Sequence, residues 1–141
     1  MATHGVHKAW LRLAAVVIGA FGPFLTLATM PAFSEPARWG LDLLSWPLDG
    51  FPSYAAPEMW FLSALTGGFL VGWGVMVWCL ALWVHDLAAE PVRRAFLVSV
   101  LAWFVVDSLG SVTSGNWPNA AWNVLVLTVD PARRLAAALG L

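Results

Sequence analysis

Asp107 is the single carboxylate in a long apolar run, FVVDSLGSVTSGNWPNAAWNVLVL, residues 104–127. On a helix, positions three, four and seven apart share a face. Trp103, Gly110, Ser111 and Ser114 therefore line up with Asp107, and Asn119 and Asn123 share one face of whatever helix follows the turn. Counted from that turn at 1.5 Å per residue, Asp107 and Asn123 each lie on the order of 10 Å inside. Glu58 opens the preceding apolar segment on the same side. The set Asp107, Ser111, Ser114, Asn119, Asn123 and Glu58 suits three chemistries: holding the polar head of an apolar ligand, handling a proton, or acid–base catalysis by two carboxylates on one cavity. Trp60, Trp103, Trp117 and Trp122 are the expected aromatic wall. A plainer role competes with all three. Asn and Ser side chains also join membrane helices to one another, at roughly 0.6–2 kcal/mol per contact. Either Asp107 accepts from Asn123 and staples a hairpin, or an open cavity lies between them.

The elements that must position these residues follow from composition. The chain is 60% hydrophobic and only 11% charged over 141 residues, with mean hydropathy +0.77. A soluble domain carries about 25% charged residues to keep its surface wet, so most of this surface must face something other than water. The expectation is an all-α integral membrane protein of one domain, residues 1–141. A net charge of −1 offers no basic footprint for nucleic acid.

A span needs about 20 mostly apolar residues. Four segments qualify, at about 10–30, 57–84, 92–113 and 118–134, the last with Asp130-Pro131 inside it and expected to run on through the proline. Basic residues set orientation. Lys8, Arg12, Arg93, Arg94, Arg133 and Arg134, six of the seven, fall on one side of a four-span chain. Both termini are thus expected in the cytoplasm of a bacterium, with the protein in its inner membrane. The outward connection from Pro31 to Ala56 holds four prolines. Ser34 as N-cap and Pro36 in the first turn predict a short interfacial helix over EPARWGLDLLSW, with Leu41, Leu44 and Trp46 on headgroups and Arg38 and Asp42 in water.

Small residues at Ala64, Gly68 and Gly72 predict close approach of another helix. Gly67 and Gly74 widen that groove, and Ala15 and Gly19 form the complementary face. Ten tryptophans are present; Trp10, Trp83 and Trp117 fit an interfacial belt, while Trp73, Trp78 and Trp103 lie deeper. His4 and His7 precede the first span and His85 ends the second, which argues against haem ligated within the membrane. No metal motif, P-loop or nucleophilic triad is legible. A lone Cys79 in an apolar run reads as a small hydrophobe.

The stretches FLSALTGGFLVGWGVMVWCLALWV and AWFVVDSLGSVTSGNWPNAAWNVLVL resemble a family of small four-helix bacterial inner-membrane proteins, some of which carry the name excinuclease subunit. No nucleotide-binding motif here supports that name, and the resemblance brings no activity and no catalytic residue. In outline the chain also resembles the four-helix sterol-isomerase and sigma-2 receptor group, without its histidine and paired acids. Three expectations follow. The first is a non-enzymatic accessory or assembly subunit of a larger respiratory or photosynthetic membrane complex, with lipid and other membrane subunits as partners and no cofactor of its own. The second is a carrier or binding protein for a lipid, quinone or pigment held at Asp107. The third is an isomerase-like enzyme using Asp107 and Glu58.

Overall fold

The computed structural model describes residues 2–50 and 54–129, with side chains placed over 5–50 and 54–127. Every regular element among them is helical. Helix α1 is Ala2–Leu27, α2 is Ser34–Ser45, α3 is Pro57–Cys79, α4 is Ala89–Thr113 and α5 is Trp117–Val129. Among the described residues three stretches are long and apolar enough to cross a membrane: Gly5–Leu27, Pro57–Val84 and Ala89–Thr113. Helix α5 covers 13 described residues, about 20 Å at 1.5 Å each, which is short of a full crossing. The expected passage through Pro131 and the basic pair Arg133 and Arg134 lie outside the described residues.

Helix α1 runs through Pro23 without ending. A proline removes one backbone donor and crowds the carbonyl four residues earlier; a packed membrane helix tolerates both. A 3-10 turn at Pro31–Phe33 then leads into α2. Helix α3 opens on Pro57 at its first turn, where the missing N–H has no intrahelical partner to lose. It does not stop at Cys79 but widens into a π-helical turn over Leu80–Val84, closed by a bond from His85 N–H to the Leu80 carbonyl at 2.9 Å.

The α4–α5 corner has a specific cause. Gly115 adopts φ 81°, its N–H donates to the Val112 carbonyl at 3.1 Å, and the Asn116 N–H donates to the Ser111 carbonyl at 2.7 Å. This reciprocal pair is the Schellman stop, which asks for a left-handed residue after the C-cap. A side chain at Gly115 would be strained there.

Helix α1 lies along α3, and α5 packs on α4 and on α2. Leu11, Ala15, Val77, Ala81 and Val92 form one buried cluster, where α1, α3 and α4 meet. Ala28, Ala37 and Tyr54 form a second at the opposite end, with Leu41 and Trp60 against it.

Two expectations about packing are corrected. The close approach of α3 to α1 is not made by Ala64, Gly68 and Gly72. A Cβ on Gly68 or Gly72 would meet nothing within 4 Å, whereas one on Gly74 would sit 2.7 Å from Gly19 Cα and 2.8 Å from the Ala15 carbonyl. One on Gly67 would sit 2.7 Å from the Gly22 carbonyl. Ser63, Gly67, Gly74 and Val77 are the buried positions of α3, so the contact follows a seven-residue repeat on an adjoining face. The second correction concerns α2. Asp42 does not face water: it is 1% exposed, and its carboxylate accepts the backbone N–H groups of Asp49 (3.3 Å) and Gly50 (3.1 Å). Ser34 is not the N-cap either. Phe33 holds that position, and the Ser34 hydroxyl donates to the Pro31 carbonyl at 3.0 Å.

Candidate functional site

The turn at Ser114–Asn116 folds α5 back against α4 and brings two asparagine amides to Asp107. Asn123 Nδ2 donates to Asp107 Oδ2 at 2.6 Å. Asn119 Nδ2 donates to the same oxygen at 2.9 Å. Each amide also donates to a serine: Asn119 to Ser111 Oγ at 2.8 Å, and Asn123 to Ser108 Oγ at 3.1 Å. Five side chains thus form one polar strip between the two helices. Asn123 is 5% exposed and Ser111 9%, while Asp107 is half-buried. A carboxylate accepts only, and an amide NH2 group has two hydrogens to give. Here each NH2 divides its two between the acid and a hydroxyl.

Oδ1 of Asp107 makes no hydrogen bond among the described residues, so the acid retains an acceptor. Ser114 stays outside the strip; its hydroxyl turns back to the Ser111 carbonyl at 3.0 Å. Glu58 stays outside as well. It is exposed in the first turn of α3, makes no hydrogen bond or ion pair among the described residues, and α3 has no extended packing on α4 or α5. Ser108 was not singled out from sequence, because its position next to Asp107 puts it about 100° away on the helix. The signal was its place on the side toward Asn123.

The expected aromatic wall divides. Trp60 Nε1 donates to the Tyr54 carbonyl at 2.6 Å and belongs to the Ala28 cluster. Trp103 is half-buried one turn before Asp107. Trp117 and Trp122 line a shallow apolar groove with Trp46, Pro118, Ala121 and Leu125, and Trp122 Nε1 reaches the Leu43 carbonyl at 3.3 Å. That groove runs over the α2 side of α5, and no member of the polar strip lines it.

Elsewhere, polar groups engage in ways sequence does not announce. The Tyr54 hydroxyl and Ser63 Oγ share a hydrogen bond, and Ser63 donates to the Leu25 carbonyl at 3.0 Å; burial raises the Tyr54 pKa. Arg38 clasps Glu35 at 2.9 Å, and that hydrogen bond lowers the Glu35 pKa. The Lys8 ammonium donates to Asp86, tying α1 to the turn after α3 and holding the Asp86 carboxyl below its ordinary range. Among the described residues no three His, Cys, Asp or Glu side chains are grouped as a metal would need.

The chain matches no protein-family model, no curated protein and no solved structure.

Proposed function

We propose that this chain is a small polytopic protein of a bacterial inner membrane that works without catalysis, as an accessory or assembly subunit docked on a larger membrane complex. The observation behind this reading is the contrast between its two kinds of surface. Polar groups within the α4–α5 hairpin bond to one another, while only 6% of the apolar window of α4 is buried by the chain itself. Val98, Val105, Val106, Leu109 and Val112 are each more than half exposed along α4. An apolar face of that length is suited to helices of another subunit, and a rigid hairpin is suited to presenting it. The test is isolation from native membranes in a mild detergent. The protein is expected to migrate within a larger assembly, and a lone monomer carrying only lipid would reject the reading.

A second reading rests on one specific observation. Asp107 is half-buried with Oδ1 still able to accept, so the hydroxyl or amine head of an apolar ligand could bond there while its tail runs along the hairpin. Mass spectrometry of the lipids and quinones retained by the wild type and by Asp107→Asn is the check. Identical content in both proteins would remove this reading. The acid–base reading is not carried forward, because no contact pairs Glu58 with Asp107.

A further inference from the structure

Arg12 lies on the apolar stretch Gly5–Leu27, about one helical turn after Lys8. Its guanidinium lies over the Trp78 ring, 6.0 Å from the centroid. Its Nε is buried and has no hydrogen-bond partner, and no carboxylate pairs with it among the described residues. Arg93 Nε is buried and unpartnered in the same way, although the rest of that guanidinium reaches Glu90 at 2.6 Å. Leu11 and Val92, which directly precede these arginines, belong to one buried cluster with Val77 and Ala81. Both cations therefore lie at the end of the molecule where α1, α3 and α4 meet.

The charge at this end does not balance. Lys8 is taken by Asp86, and Glu90 serves both Arg93 and Arg94. Four described cations face two described carboxylates, and the one left with an aromatic ring alone is Arg12. A guanidinium on an apolar helical stretch is costly without an anion or a route to water. A buried N–H with no acceptor adds to that cost.

We infer that Arg12 binds the phosphate of an anionic membrane lipid. A guanidinium presents a planar fork of donors that matches two oxygens of one phosphate, and basic pockets between membrane helices suit anionic headgroups. The apolar surroundings of Arg12 select a lipid over a soluble anion. Leu13, Val16 and Val17 are each half exposed beside it, and Trp83 is 69% exposed on the end of the α3 stretch. Acyl chains can lie along these side chains while the phosphate meets Arg12 and Trp78 shields the opposite face of the guanidinium. This site goes beyond the proposed function, since it holds for a subunit and for a carrier alike.

Native mass spectrometry of the detergent-solubilised full chain tests it, with dioleoyl phosphatidylglycerol and dioleoyl phosphatidylcholine offered at equal concentration. The wild type is expected to retain phosphatidylglycerol in preference, by about fivefold for each basic residue engaged. Arg12→Gln should abolish most of that preference. Arg94→Gln, at a position 65% exposed, should leave it intact. Arg12→Lys keeps a charge in the span and guards against a variant that fails to fold; its preference should fall several-fold because the planar fork is lost. Equal retention of the two lipids by the wild type would overturn the inference. So would equal losses in Arg12→Gln and Arg94→Gln, or an undiminished preference in Arg12→Lys, since either reports diffuse charge rather than a site. Inorganic phosphate should not displace the lipid, and displacement at millimolar concentration would reassign the site to a soluble anion.

Discussion

Asp107 shows how much a single side chain can decide. Its Oδ2 accepts from two amides, so removing it leaves two donors to find other partners between apolar helices. Asp107→Ala is expected to lower stability by about 1–3 kcal/mol, counting one to two net hydrogen bonds. Asp107→Asn keeps the shape and one carbonyl oxygen, and should lose less. Unfolding of both variants in detergent micelles measures the difference, and equal losses would mean the acid matters through charge rather than geometry. The pairing of Asp107 with asparagines was legible because the helix period and the short turn put them at one depth. Ser108 and Asp42 were not legible. Asp42 looked solvent-facing because its partners are backbone N–H groups at Asp49 and Gly50, and sequence does not display backbone donors. Asp42→Ala should speed amide hydrogen exchange at those two positions, while helix amides of α3 keep their protection. Asp86 supplies a pH signature. Its folded pKa is lowered by Lys8, so the tie is complete above the unfolded pKa and is lost as pH falls through the folded one. Acidification below the ordinary aspartate range should therefore release Lys8, which its side-chain NMR signal would report, and Asp86→Asn should remove that transition.

At the scale of elements, the two helix pairs are joined by different means. Helices α1 and α3 meet backbone to backbone at Gly19, Gly22, Gly67 and Gly74, whereas α4 and α5 are held by side-chain hydrogen bonds. Gly74→Ala puts a Cβ against Gly19 Cα and the Ala15 carbonyl, neither of which can swing aside. It should cost about 1–3 kcal/mol as an overpacked contact. Gly68→Ala and Gly72→Ala enter open space and should stay within about 0.5 kcal/mol of the wild type. A thermal melt of the three variants separates the cases, and a loss at Gly72 as large as at Gly74 would show that a second helix uses that face. Both glycine rows were visible in the sequence. Spacing states that a close approach exists, but the apolar residues surrounding α3 on all sides leave no amphipathic contrast to say which row faces inward. The three long helices were legible because length and hydropathy alone identify a span.

For the molecule as a whole, the chain covers little of its own apolar surface, between 6% and 22% of each candidate span. What remains must be covered by lipid or by other proteins, and the composition foretold that need without naming the cover. The π-helical turn at Leu80–Val84 gives the whole assembly a particular tolerance. Both α1 and α4 pack against this turn, so it is the hub between the two helix pairs. A π turn holds one residue more than an α turn. Deleting one residue there would restore an ordinary helix, in which the fourth residue on takes the place that the fifth holds in the π turn. His85 would keep its buried seat, Asp86 would stay near Lys8, and α4 with α5 would dock in the same direction. A one-residue deletion in the regular part of α3 would instead rotate everything after it by about 100°, a phase error that leaves each hairpin intact while misaligning the pair. At the hub the same loss is in phase.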